Sequence, residues 1–242
     1  MEKLKKAAMV SKSSGNYMRR IFFKKSILLW LFAVIIGLFT LSGCKNKMKE
    51  NSPVENLMCQ HALLSRVMII YDHCNKQISK NETLDRESLA NAAFVIKEYI
   101  EDYHEKLEEK YLFPLIVNAN KLPGQVQLLC IQHAEGKKLT MQIIKEVTQK
   151  PSSNRDDLLN LSTLLTKFNT MYRSHAARED TEVFYILKEF ASNKQYFEMK
   201  EKFDEKEIEQ FGGDGFEVML NKVVAIEKKL GIFELSEFTT IL

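Results

Sequence analysis

Proline and glycine are scarce in this chain: four and nine in 242 residues. So few turn formers exclude an all-β sandwich or barrel, which needs a tight turn about every 8–12 residues. Cysteine is rare too, and none of Cys44, Cys59, Cys74 and Cys130 stands at a candidate ligand position, which argues against a structural zinc site. Cys59 and Cys74 would lie about 22 Å apart along one helix and could not bridge each other. A Cys59–Cys130 bridge stays open, and buried or half-buried thiols are the simpler expectation. There is one tryptophan, Trp30, and no glycine-rich phosphate loop, nucleophile elbow or low-complexity tract. Nor is there a basic stripe. Residues 1–43 hold eight Lys/Arg against Glu2, a charge of +7, and the overall +3 leaves −4 on the rest. A mildly acidic body argues against nucleic acid as a partner.

What is present begins with an apolar run, SILLWLFAVIIGLFTL, at residues 26–41. It is short for a bilayer core of about 30 Å and has the length of an export-signal core. Arg19 to Lys25 is basic, and Leu41-Ser42-Gly43-Cys44 follows the run. This resembles the lipobox of bacterial lipoproteins, which implies that Cys44 becomes the lipidated first residue of the mature chain. An uncleaved anchor helix is the alternative, and Met18 is a candidate initiator. Both readings tether the body to the membrane of the bacterial cell envelope, on its periplasmic or extracellular face. The chain thus divides into an export signal at 1–43, a polar tether at 44–52, a helical body at 53–192 and an extension at 193–242.

The body carries a 3.6-residue apolar period throughout. Ser52-Pro53 starts a helix over about 53–79, with Leu57, His61, Leu64, Met68 and Tyr71 on one stripe. A second helix runs over about 86–119, with Pro114 kinking or ending it. Pro123 opens a third, with Val126, Leu129, Cys130, His133, Thr140, Ile143 and Val147 inward. The fourth follows Asn154 and points Leu161, Leu165, Phe168, His175, Glu179 and Val183 inward. The extension predicts a charged helix over 194–211, with Phe197, Phe203 and Ile208 as its apolar residues, and a last helix over 216–230. Four long helices with short links predict an all-α antiparallel up-down four-helix bundle with two extra C-terminal helices.

Four of the five histidines fall on these inner stripes, one per helix, and two carry a glutamate four residues later. Residues at i and i+4 share a helix face, about one turn of 5.4 Å apart. Imidazoles and carboxylates buried together need a counter-ion, since an unpaired buried charge costs several kcal/mol. Six such donors, His61, His104, Glu108, His133, His175 and Glu179, exceed what one ion takes, so two carboxylate-bridged ions are expected. Iron, zinc or manganese suits this donor set. Asp180, at the i+5 spacing, is the alternative carboxylate to Glu179. Glu109 is expected in solvent, and His73, off the stripe, at the surface. Glu101-x-x-His104 offers one copy of the Glu-x-x-His pattern of ferritin-like di-iron proteins, which need two.

The motifs HEKLEEKYLFP, QHAEGKKL and HAARED, together with His61, resemble the hemerythrin-like, or HHE cation-binding, family. The resemblance covers about residues 53–190. It implies a four-helix bundle with two non-haem irons, bridged by Glu108 and Glu179 and held terminally by the four histidines. It also implies a diatomic gas or peroxide as small ligand, in O2 or NO sensing or in iron handling under oxidative or nitrosative stress. The oxygen carriers of that family have a second histidine on the third helix where this chain has Lys137. A four-histidine set argues against reversible oxygen carriage. A di-iron oxidase- or peroxidase-like enzyme and a metal-free helical interaction module are the rival readings.

Overall fold

The structure, a computed structural model, describes residues 51–148 and 154–239. The export segment, Cys44 and most of the tether lie outside the described residues. Every regular element among the described residues is helical.

Helix α1 spans Pro53–Ser79. Ser52 caps it: Ser52 Oγ accepts from the Glu55 amide at 3.3 Å, and Glu55 Oε2 accepts from the Ser52 amide at 2.8 Å. This reciprocal box satisfies two amides the first turn leaves unpaired, with Pro53 where no donor is needed. Helix α2 is a continuous rod over residues 86–118, capped by Asp85, whose Oδ1 accepts from the Ser88 amide at 3.0 Å. Pro114 lies inside the rod and does not end it. Helix α3 spans Pro123–Thr148, and α4 runs over residues 155–190 behind the Asn154 cap. Helix α5 spans Asn193–Phe211 and α6 spans Gly215–Leu230. Each of these last two stops at a glycine in the left-handed region, Gly212 at φ 72° and Gly231 at φ 70°, where a Cβ would be strained.

Helices α1 and α3 each pack against both α2 and α4. Their apolar stripes meet in one core that includes Leu57, Leu64, Tyr71, Leu89, Ile96, Leu129, Ile143, Leu165, Phe168 and Val183. Helix α6 lies on α1 and α2 and adds Met219, Val223 and Ile226 to that core. The Arg66 guanidinium on α1 is paired with Glu227 on α6, Nε donating to Oε1 at 2.9 Å. No helix among the described residues is long and apolar enough to cross a membrane.

Three sequence expectations change. The buried face of α5 is Met199 and Phe203, whereas Phe197 and Ile208 are 63% and 62% exposed. An apolar period on a charged helix names two faces at once, and only the neighbour it lands on chooses between them. Cys130 is exposed, off the inner stripe of α3, and it is not bridged to Cys59, which removes the Cys59–Cys130 disulfide.

Three stretches depart from α geometry. Residues Ile96–His104 and Glu108–Leu112 of α2, and Glu179–Val183 of α4, are π-helical. The Phe113 amide reaches back five residues to the Glu108 carbonyl, and the Phe184 amide does the same to Glu179. Pro114 follows the first of these, but Tyr185 holds the matching place after the second. Proline is therefore not what the two turns share. Both begin at the glutamate of a His-x-x-x-Glu pair.

Candidate metal centre

The structure brings His61 from α1, His104 and Glu108 from α2, His133 from α3, and His175 and Glu179 from α4 to one place. The imidazoles are at most 3% exposed and both glutamates are fully buried. His61 Nε2 lies 3.1 Å from His104 Nε2, and His133 Nε2 lies 3.2 Å from His175 Nε2. Each pair faces both carboxylates. Glu179 Oε2 is 3.3 Å from His61 and 3.1 Å from His175; Glu108 is 3.5 Å from His104 through Oε1 and from His133 through Oε2. Two four-residue groups result, each with donor atoms within 4.8 Å of one another: His61, His104, Glu108 and Glu179, and Glu108, His133, His175 and Glu179. The two glutamates belong to both. His73 is half-buried and joins neither.

This donor set fits metal ions. Two imidazole nitrogens about 2.1 Å from one ion stand about 3.0–3.4 Å apart at angles near 90–110°, as both pairs do here. The four oxygens of Glu108 and Glu179 have no hydrogen-bond partner despite complete burial. Buried polar atoms are normally satisfied, so four orphaned oxygens at one point call for a cation.

Each imidazole is held from behind. His61 Nδ1 donates to Asp180 Oδ1 at 2.8 Å and His133 Nδ1 to Glu109 Oε1 at 3.1 Å. Gln60 Oε1 lies 2.8 Å from His104 Nδ1, and Gln132 Oε1 lies 3.0 Å from His175 Nδ1. Carboxylate oxygens only accept, so Nδ1 of His61 and His133 carries a proton, and Nε2, once free of its own, turns a lone pair to the centre. Phe184 stacks on His61 at 5.6 Å and Phe113 on His133 at 5.8 Å, shielding the outer rings from water.

Glu109 is thus not a free solvent residue, contrary to the sequence expectation. The π turn places more residues in one turn, which narrows the angle between successive side chains and lets Glu108 face the centre while Glu109 backs His133. Asp180 stands beside Glu179 in the same way, backing His61.

Electrostatics reflect two carboxylates confined together. Burial, then the charge of Glu179, pushes the Glu108 carboxyl well above its usual range. Burial acts on Glu179 in the same sense, but His175 and His61 override it and hold that carboxyl below its usual range. Burial pulls His61 down, yet the bond to Asp180 and the nearby charge of Glu179 win and raise it to about 9. His104 is driven well below its usual value, by burial first and then by His61. The Glu109 carboxyl is lowered to about 2, chiefly by its bond from His133.

Sequence reasoning missed Gln60, Gln132 and the backing roles of Glu109 and Asp180. The signal lies in a spaced repeat. Gln60-His61 recurs 72 residues on as Gln132-His133. His104, Glu108, Glu109 and Phe113 recur 71 residues on as His175, Glu179, Asp180 and Phe184, and the π turns obey the same shift.

Comparison with known proteins agrees with this geometry. The hemerythrin HHE cation binding domain matches residues 52–187, more than half of the chain. This chain belongs to that family, and is a metal-binding protein of the kind that typically holds iron. Uncharacterized proteins of Mycobacterium tuberculosis and Mycobacterium bovis are 33% identical over 227 residues, covering 88% of this chain and 89% of their own length. That coverage is longer than the family match, so the similarity extends beyond residues 52–187. No solved structure matches significantly.

Proposed function

We propose that the chain is a membrane-tethered di-iron protein of the bacterial cell envelope that binds or senses O2 or NO, or handles iron under oxidative or nitrosative stress. The reading takes the four long helices as an antiparallel up-down bundle and Cys44 as its lipidated anchor. His61 and His104 would hold one iron and His133 and His175 the other, with Glu108 and Glu179 shared between them. The carrying observation is the pair of Nε2···Nε2 approaches, 3.1 and 3.2 Å, across two glutamates whose four oxygens lack partners. Such a centre, when loaded, supplies an electron-rich cation pair for a diatomic ligand or peroxide. The chain's own contribution is to fix the imidazoles through Asp180, Gln60, Glu109 and Gln132, and to keep water off them with Phe113 and Phe184. Lipidation supports retention at the envelope and predicts no helical span in the body itself.

The test is metal content and the optical spectrum of protein purified without chelator. Two irons per chain with oxo-bridge bands in the oxidised form support the reading; absence of any transition metal would favour a metal-free interaction module. A stable adduct with NO or O2 separates binding from an oxidase or peroxidase, which would turn over with peroxide. Replacing Cys44 with Ser should release the protein from the membrane fraction.

A further inference from the structure

The two halves of the centre correspond side chain for side chain until its flank. Under the same shifts, Ser65 of α1 corresponds to Lys137 of α3, and Ala176 of α4 corresponds to Glu105 of α2. One half therefore carries an ammonium and a carboxylate that the other lacks. Lys137 Nζ lies 3.1 Å from Glu105 Oε2 and 3.5 Å from Glu109 Oε1. Glu105 is 1% exposed, and its Oε2 meets the ammonium without hydrogen-bond geometry. Its Oε1 accepts from Tyr172 Oη at 2.7 Å. Gly136 is what admits that phenol, since a Cβ there would stand 2.0 Å from Tyr172 Oη.

Glu105, Glu109 and His133 each offer a donor atom within 4.8 Å of the others. One turn earlier, Glu101 is fully buried with both carboxylate oxygens unpartnered, within electrostatic reach of Glu105 and Lys137. The ring edge of His133 carries the proton it gives Glu109, so the ligand atoms here are carboxylate oxygens. The group is more than an acidic cluster, because Glu101 and Glu105 are buried with unpartnered oxygens and a cation of the chain itself sits against two of its carboxylates. Carboxylate oxygens suit a divalent ion.

We propose that this flank is a third cation position, filled by the Lys137 ammonium, and that removing the ammonium converts it into a divalent-metal site. The tethered ammonium is always at hand, so it outcompetes free ions and the centre loads two metals rather than three. It also protects the centre, because an ion there would draw Glu109 and the Nδ1 edge of His133 away from each other. The count of two rests on the metal reading above; the flank itself does not.

The experiment is a cobalt(II) titration of metal-free protein, read as bound equivalents per chain and by the visible bands of each. Wild type and Lys137→Arg should bind two equivalents, and Lys137→Ser, which copies the opposite half, three. Adding Glu105→Ala to Lys137→Ser should return the count to two. Lys137→Gln, which keeps the side-chain stem, replaces the serine variant if that does not fold. Two equivalents in wild type and in the neutral variants would overturn the proposal. No cobalt in wild type but one in Lys137→Ser would sink the di-metal reading and leave the flank standing; none in either would sink both.

Discussion

Residues 53–118 and 123–190 are two versions of one helical pair, yet neither can build its half of the centre alone. The imidazoles of each Nε2 pair come from within one version: His61 with His104, His133 with His175. Their charged support comes from the other. Asp180 of the second version backs His61 of the first, Glu109 of the first backs His133 of the second, and Phe184 and Phe113 cross over in the same manner. The amide supports stay at home, Gln60 on His104 and Gln132 on His175. The pairing therefore gives each position one imidazole backed by a carboxylate and one backed by an amide. The difference between the halves lies on their flank, where only one carries Lys137 and Glu105.

The sharpest way to break the equivalence is to remove what both halves share. Glu108→Ala or Glu179→Ala should empty both positions, taking metal content toward zero by elemental analysis. At a metal concentration a thousandfold above Kd, bound ion adds about 4 kcal/mol to stability, and that increment should vanish from thermal melts of either variant. His104→Ala should instead leave the His133/His175 position loaded. Equal loss from the histidine and glutamate variants would contradict the sharing.

Acidification should weaken metal binding next most strongly. Burial raises the Glu108 carboxyl, and His61 is raised to about 9, so at neutral pH the metal-free centre holds protons that an ion must displace. A raised pKa means the proton is on below it; affinity accordingly climbs as pH rises toward about 9 and is lost as pH falls. One displaced proton corresponds to about tenfold in affinity per pH unit. Calorimetry in buffers of different ionisation enthalpy should count at least one proton released per chain at pH 7.

The crossover is sharpened by Asp180→Asn and Glu109→Gln. Loss of such support costs about 10–100-fold in metal affinity. Asp180→Asn should weaken the His61/His104 position and Glu109→Gln the His133/His175 position, seen as separate steps in a titration. If both variants weakened the same step, the interlocked picture would be wrong. Smallest of all, His73→Ala should change neither iron content nor melting temperature.

Much of this was legible because a helix displays its own buried face. Leu57, Leu64, Leu165 and Phe168 announce their stripes by period alone, Ser52-Pro53 and Gly231 mark helix ends through local chemistry, and His-x-x-x-Glu advertises two donors on one side. The flank was not legible. Glu105 reads as an ordinary polar position beside His104 and Glu101 only as an unrepeated Glu-x-x-His, and nothing local says that α3 will bring Lys137, or α4 Tyr172, against Glu105. The same holds for Phe197, which looks as apolar as Phe203 until α5 chooses a neighbour.

The sequence by itself determined that the described chain is helical, which apolar stripes of its four long helices face inward for the most part, and that imidazole and carboxylate are buried there together. Those are properties of single helices, set by a 3.6-residue period and short-range capping. Tertiary structure decided which nitrogen of each imidazole faces the centre, that Glu109 turns inward beside Glu108, and that an ammonium stands on one flank only. Those outcomes depend on distances and rotations between helices, which a π turn can shift by a fraction of a residue and which no single segment encodes.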